Sequence, residues 1–115
     1  MARARWANGD SPLMSVDEFR QSASAEPPEG LSDALLALWH DARGDWTAAH
    51  ESAQSGESDD GAWVHAYLHR KEGDSGNAGY WYRRAGRPVP TGGLDAEWSQ
   101  IAGELLAADE AMRGS

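Results

Sequence analysis

The sequence predicts an all-α fold, and three observations carry that expectation. Alanine, the strongest helix former, is the commonest apolar residue, whereas only three Val and one Ile are present to favour strands. Apolar residues recur at helical spacing in several separate stretches. Each stretch is bracketed by residues that start or stop helices, Ser or Asp before it and Gly or Pro after it. A length of 115 residues is that of one domain. The expected organisation is a flexible N-terminal arm over 1–14 and a single helical domain over 15–115, with about six helices in all.

The elements follow in order. Residues 1–14 mix Arg, Gly, Asp and Pro without periodicity, with Trp6 and Leu13 as possible anchors. Ser15 and Glu18 stand at capping-box spacing and open a short helix over about 15–25, which Pro27 and Pro28 end. From Leu31 the stripe Leu31, Leu35, Leu38 and Ala42 marks a helix, with Ala34 and Trp39 beside it. It stops at Gly44, and Asp45 caps the next, which carries Trp46, Ala49 and Ala53 on one face and fades over 54–58. Asp59 begins a helix whose face is Val64, Tyr67, Leu68 and Lys71, ending at Gly73. A fifth follows the Gly73-Asp74 turn and runs to about Ala85, closed by Gly86 and Pro88. After Thr91-Gly92-Gly93, the stripe Leu94, Trp98, Ile101, Leu105, Ala108 and Met112 defines the last helix, over 94–112.

Superposing Gly44-Asp45 on Gly73-Asp74 aligns two helical hairpins 29 residues apart and pairs His40 with His69, Trp39 with Leu68, and Ala49 with Ala78. Two antiparallel helix–turn–helix units are therefore expected, with the helices at 15–25 and 94–112 capping the open ends of a short array.

The stretch Tyr67 to Ala85, with its Gly73-Asp74 turn followed by Ala78, Trp81, Tyr82 and Ala85, resembles the Sel1-like repeat. Residues 35–53 resemble a degenerate tetratricopeptide hairpin, although a 29-residue offset is shorter than the about 34 of that repeat. Together with Trp39-His40-Asp41, Gly44-Asp45-Trp46 and the run from Ala62 to His69, the sequence is also similar to a group of bacterial proteins of no assigned activity. The resemblance implies protein or peptide scaffolding, with ligands held in a groove lined by first helices, and it brings no catalytic residues with it.

The formal charge of −9 argues against the whole chain as a binder of nucleic acid or anionic membrane. Without cysteine there is no disulfide framework, thiol nucleophile or Cys-based zinc site. No stretch reaches the length of a membrane span, and the expected location is cytoplasmic. No cofactor is expected.

His65 and His69, four residues apart on one helix, share a face and could both ligate a metal, with His40 and Asp41 contributing if the hairpins stack. The acid of an H-E-x-x-H motif is missing, since Ala66 follows His65, so inter-helix hydrogen bonding or exposure to solvent is the plainer reading of these histidines. His40 and Asp41 are chain neighbours that point about 100° apart on a helix and make no catalytic pair. There is no Gly-x-Ser-x-Gly elbow or phosphate-binding loop. Tyr80 to Arg84 interleaves aromatics with arginine as single-strand nucleic-acid surfaces do. On this kind of helix, however, packing and the helix dipole explain those residues better. Trp46, Trp81 and Trp98 fall on stripes expected to be buried. Trp39, Trp63 and Tyr67, with His40, His65 and His69, are the candidates for lining a binding groove. The function expected is a non-enzymatic protein- or peptide-binding module, the alternative a small-molecule or metal-binding protein using His40, His65 and His69.

Overall fold

The computed structural model describes residues 14–55 and 58–114. The arm expected over 1–14, including Trp6 and Leu13, lies outside the described residues except for Met14, and no side chain from Glu110 onward is described. Six α-helices make up the described residues: α1 (Val16–Gln21, extended by a 3-10 turn Ser22–Ser24), α2 (Asp33–Ala42), α3 (Trp46–Ser55), α4 (Asp59–Lys71), α5 (Ser75–Ala85) and α6 (Leu94–Gly114). No strand occurs among them.

The helix starts are set by side-chain caps. Ser15 Oγ accepts from the Glu18 amide at 3.1 Å while Glu18 Oε1 accepts from the Ser15 amide at 2.9 Å, a complete capping box. Ser32 Oγ caps the Leu35 amide at 3.2 Å, which places the start of α2 just beyond Leu31. Asp45 caps Ala48 at 3.0 Å, Ser58 caps Gly61 at 3.0 Å and Asp74 caps Asn77 at 3.2 Å. The acids Asp59 and Asp60 then occupy the first turn of α4, where they favour the helix dipole.

The two hairpin turns close in the same way. Gly44 and Gly73 have φ of +82° and +90°, a conformation that other residues rarely adopt. The amide after each glycine reaches back five residues: Asp45 N donates to the His40 carbonyl and Asp74 N to the His69 carbonyl, both at 2.9 Å. His40 and His69 thus hold equivalent places in successive hairpins.

Helix α4 is the centre of the molecule. Its residues Gly61 to Leu68 are all buried, and it packs on α2, α3, α5 and α6. A helix apolar on most of its circumference is a core element. Gly61 permits the tightest of these approaches, because a Cβ there would lie 2.8 Å from the Ala53 carbonyl oxygen at the end of α3. Alanines occupy other close approaches, with Ala37, Ala49, Ala66 and Ala102 fully buried.

The flanking helices do not cap opposite ends of the array. They pack on one another and on the first helices, α1 on α2 and α6 on both α2 and α4. Trp98 of α6 is the reason: its ring stacks on Phe19 at 5.7 Å, and its Nε1 donates to the Leu38 carbonyl at 3.1 Å. The Arg20 guanidinium covers the same ring at 4.2 Å. The apolar stripe of α6 is buried at Trp98, Ile101, Ala102, Leu105 and Leu106, and is already exposed at Ala108.

Two buried acids lock this arrangement. Asp41 accepts from Tyr67 Oη and from Lys71 Nζ, each at 2.8 Å. Glu97 of α6 accepts from Arg70 Nη1 at 2.7 Å and from Tyr82 Oη, while Arg70 also donates to the Gly92 carbonyl. Burial, reinforced by the neighbouring carboxylates, pushes both tyrosine hydroxyls above their usual range, so they serve as donors at any ordinary pH.

Candidate metal centre

Helices α3 and α5 each pack on α4 but not on one another, which leaves a groove between them floored by α4. Trp46 and His50 stand four residues apart on α3, and His65 and His69 four apart on α4. Each pair therefore shares one helical face. Because the second helix of the first hairpin packs on the first helix of the next, the two pairs meet. The His50 ring lies edge-on to His65 at 4.5 Å and to His69 at 5.4 Å between centroids, while His65 and His69 are stacked at 4.8 Å. Trp46 stacks on His50 at 4.8 Å, and Trp81 of α5 stacks on His65 at 4.1 Å. Trp46 Nε1 donates to the Leu68 carbonyl at 3.4 Å, tying this wall to the floor.

One ring nitrogen from each of His50, His65 and His69 lies within 4.8 Å of the other two. In a tetrahedral site with metal–nitrogen bonds of about 2.0–2.1 Å, ligand atoms are roughly 3.3 Å apart, so holding an ion would require the cluster to contract by up to about 1.5 Å. The set is all imidazole, which suits zinc, copper or nickel rather than magnesium or calcium.

The electrostatics prepare these rings. Burial, followed by the nearby His50 and His69, holds the His65 imidazole down at about 4. Burial and then His69 also hold His50 below the usual histidine range. Both are neutral at pH 7, the protonation state that ligates metal. The His69 Nδ1 is paired with Glu72 Oε2 at 2.8 Å, so Nε2 is the nitrogen that would be open to an ion. A carboxylate on the far nitrogen fixes the tautomer and raises ligand basicity, the usual support for a metal-bound histidine. His69 also lies near Glu72 and Asp74, but Asp74 is committed to capping α5 through the amide and side chain of Asn77.

A cavity of about 330 Å³ adjoins the cluster along the same groove, lined by Ala53, Gln54, Ser58, Ala62, His65, Trp81 and Arg84. His65 and Trp81 belong to both.

The residues expected to line a groove are divided by the structure. His65 and His69 lie in it. Trp39, Trp63 and Tyr67 are each only 3% exposed and belong to the core, because α1 and α6 cover the first-helix face that was expected to be open. Trp46 and Trp81, expected to be buried, are instead half-buried walls of the groove. His40 is not part of the cluster: its ring lies against Trp39 at 5.2 Å. Its Nδ1 and the Trp39 Nε1 are buried with no hydrogen-bond partner among the described residues. The reason is its equivalence to His69, since equivalent places in stacked hairpins are one repeat apart. Asp41 likewise serves Tyr67 and Lys71 rather than a ligand. The third ring is His50, which the sequence reading passed over. It stands four residues after Trp46, beside the stripe of α3 that faces the next hairpin, and that spacing was its only signal. Compared with known proteins, the chain matches no family model, no curated protein and no solved structure.

Proposed function

We propose that this chain is a non-enzymatic binding protein that takes up one divalent transition-metal ion, zinc being the reference case, on His50, His65 and His69. The observation that carries the reading is the convergence of three imidazole nitrogens from two helices within 4.8 Å. Two further features support it: burial that keeps His50 and His65 neutral, and the Glu72 carboxylate that orients His69. Two half-buried tryptophans hold the rings on either side and lower the ordering cost of binding.

Calorimetric titration of the untagged chain with zinc tests the proposal. One ion per chain should bind saturably at micromolar concentration or below, with binding lost in His50→Ala and His65→Ala and kept in His40→Ala. Absence of saturable uptake, or uptake undiminished by His50→Ala, overturns it.

A second reading, a peptide-binding module of the Sel1-like or tetratricopeptide-like kind, is favoured by the open groove itself, which a peptide could enter past exposed Tyr80 and half-buried Trp81. It stands second because α6 covers the first-helix face that those repeats use for ligands.

A further inference from the structure

Three imidazoles leave a tetrahedral ion with one position to fill. Of the carboxylates near the cluster, Glu72 is engaged on His69 and Asp74 as the cap of α5, while Glu51, next to His50 in the chain, is exposed. The cavity beside the cluster shares His65 with it and has a volume of about 330 Å³, at the small end of the 300–1,000 Å³ range typical of small-molecule sites. Among the described residues its lining carries no carboxylate and one cation, Arg84.

Arg84 differs from most of the described cations. Arg20, Arg70, Lys71 and Arg87 are each paired with an acid, at 3.1, 2.7, 2.8 and 3.0 Å. Arg43 donates to the carbonyls of Ala23 and Ala25. Arg84 makes no ion pair among the described residues and sits 5.8 Å from the Trp81 ring centroid. Gln54 and the Ser58 hydroxyl add hydrogen-bonding groups to the wall, and the Trp81 indole adds a flat apolar one. Of the acids at the start of α4, Asp60 lines a second cavity with Ser32 and Asp33, which meets the first at Ala53 and Ser58.

We infer that the cavity binds a small carboxylate whose oxygen fills the open position on the metal, with Arg84 as its counter-ion and Trp81 against its body. The inference rests on the metal reading above and adds to it the class of the second ligand. An acidic chain needs such compensation, since its net charge of −9 otherwise repels an anion.

The test uses the untagged chain loaded with cobalt(II), whose visible spectrum reports coordination directly, and with zinc for calorimetry. Metal uptake is measured first, and its failure overturns the metal reading and this inference with it. With the metal bound, benzoate should alter the cobalt spectrum and bind about tenfold more tightly than neutral benzamide. Arg84→Gln should weaken benzoate roughly three- to tenfold while leaving zinc affinity unchanged, as expected for an exposed charge. An unchanged cobalt spectrum, equal binding of benzoate and benzamide, or full affinity in Arg84→Gln overturns this inference alone. A tetraglutamate peptide should bind more weakly than benzoate, because the cavity does not house it. Tighter binding of the peptide overturns the assignment to a small molecule.

Discussion

Zinc should raise the melting temperature of the untagged chain, and the size of the shift follows from linkage. A ligand present at one hundred times its dissociation constant stabilises the folded state by about 2.7 kcal/mol. For 115 residues, the entropy of unfolding is roughly 240 cal/mol/K at about 2.1 cal/mol/K per residue, so the shift is on the order of 10 °C. His50→Ala removes one of three ligands and should abolish most of that shift. In the absence of metal this variant should melt within a few degrees of the parent, because His50 is half-buried and makes ring contacts rather than a core. His40→Ala should keep the full shift. The pH dependence has a definite sign. Protons compete with metal for the imidazoles, and His65 is held at about 4 with His50 also below the usual range. The zinc-induced shift should therefore shrink as the pH falls and disappear toward pH 4. Differential scanning fluorimetry or calorimetry over this range provides the measurement. A shift of the same size in His50→Ala, or none at a hundredfold excess over the calorimetric dissociation constant, would refute the reasoning.

Three other outcomes concern the fold. Metal-free chain should lose stability as pH falls: His65 titrates at 6.5 when unfolded and at about 4 when folded, so its contribution is complete above 6.5 and is lost between 6.5 and about 4. Each unit is worth ~1.4 kcal/mol, which bounds the loss from this group at about 3.5 kcal/mol in urea titrations at successive pH values. Trp98→Ala should cost about 4–5 kcal/mol by chemical denaturation, since it removes the ring stacked on Phe19 and the hydrogen bond to Leu38; a cost under about 1 kcal/mol would mean that α6 is not docked as described. Asp41→Ala should cost roughly 2–3 kcal/mol by leaving the buried Tyr67 hydroxyl unpaired, whereas Lys71, partly exposed, can turn to solvent, and Asp41→Asn should recover part of the loss.

The sequence alone determined where helices begin and end to within a residue or two, because these are local properties, although the caps Ser32 and Ser58 were not singled out. Ser15 with Glu18 and Asp45 cap at the expected places, Asp74 caps where its alignment with Asp45 puts it, and Gly44, Gly73 and Gly86 adopt the left-handed conformation that ends a helix. The pairing of His65 with His69 was legible for the same reason, since spacing on one helix fixes a shared face. Tertiary structure decided what covers each face. Whether Trp39, Trp63 and Tyr67 look onto a groove or a core depends on where α6 docks, and Trp98 docks it over the first helices through contacts 60 residues away in the chain. The third member of the histidine cluster was hidden in the same way. His50 stands in a helix whose periodicity says only that one side is apolar, and its partners come from the following hairpin. Helix limits follow from neighbours in sequence; a site assembled between helices follows from their packing, which no single stretch of residues encodes.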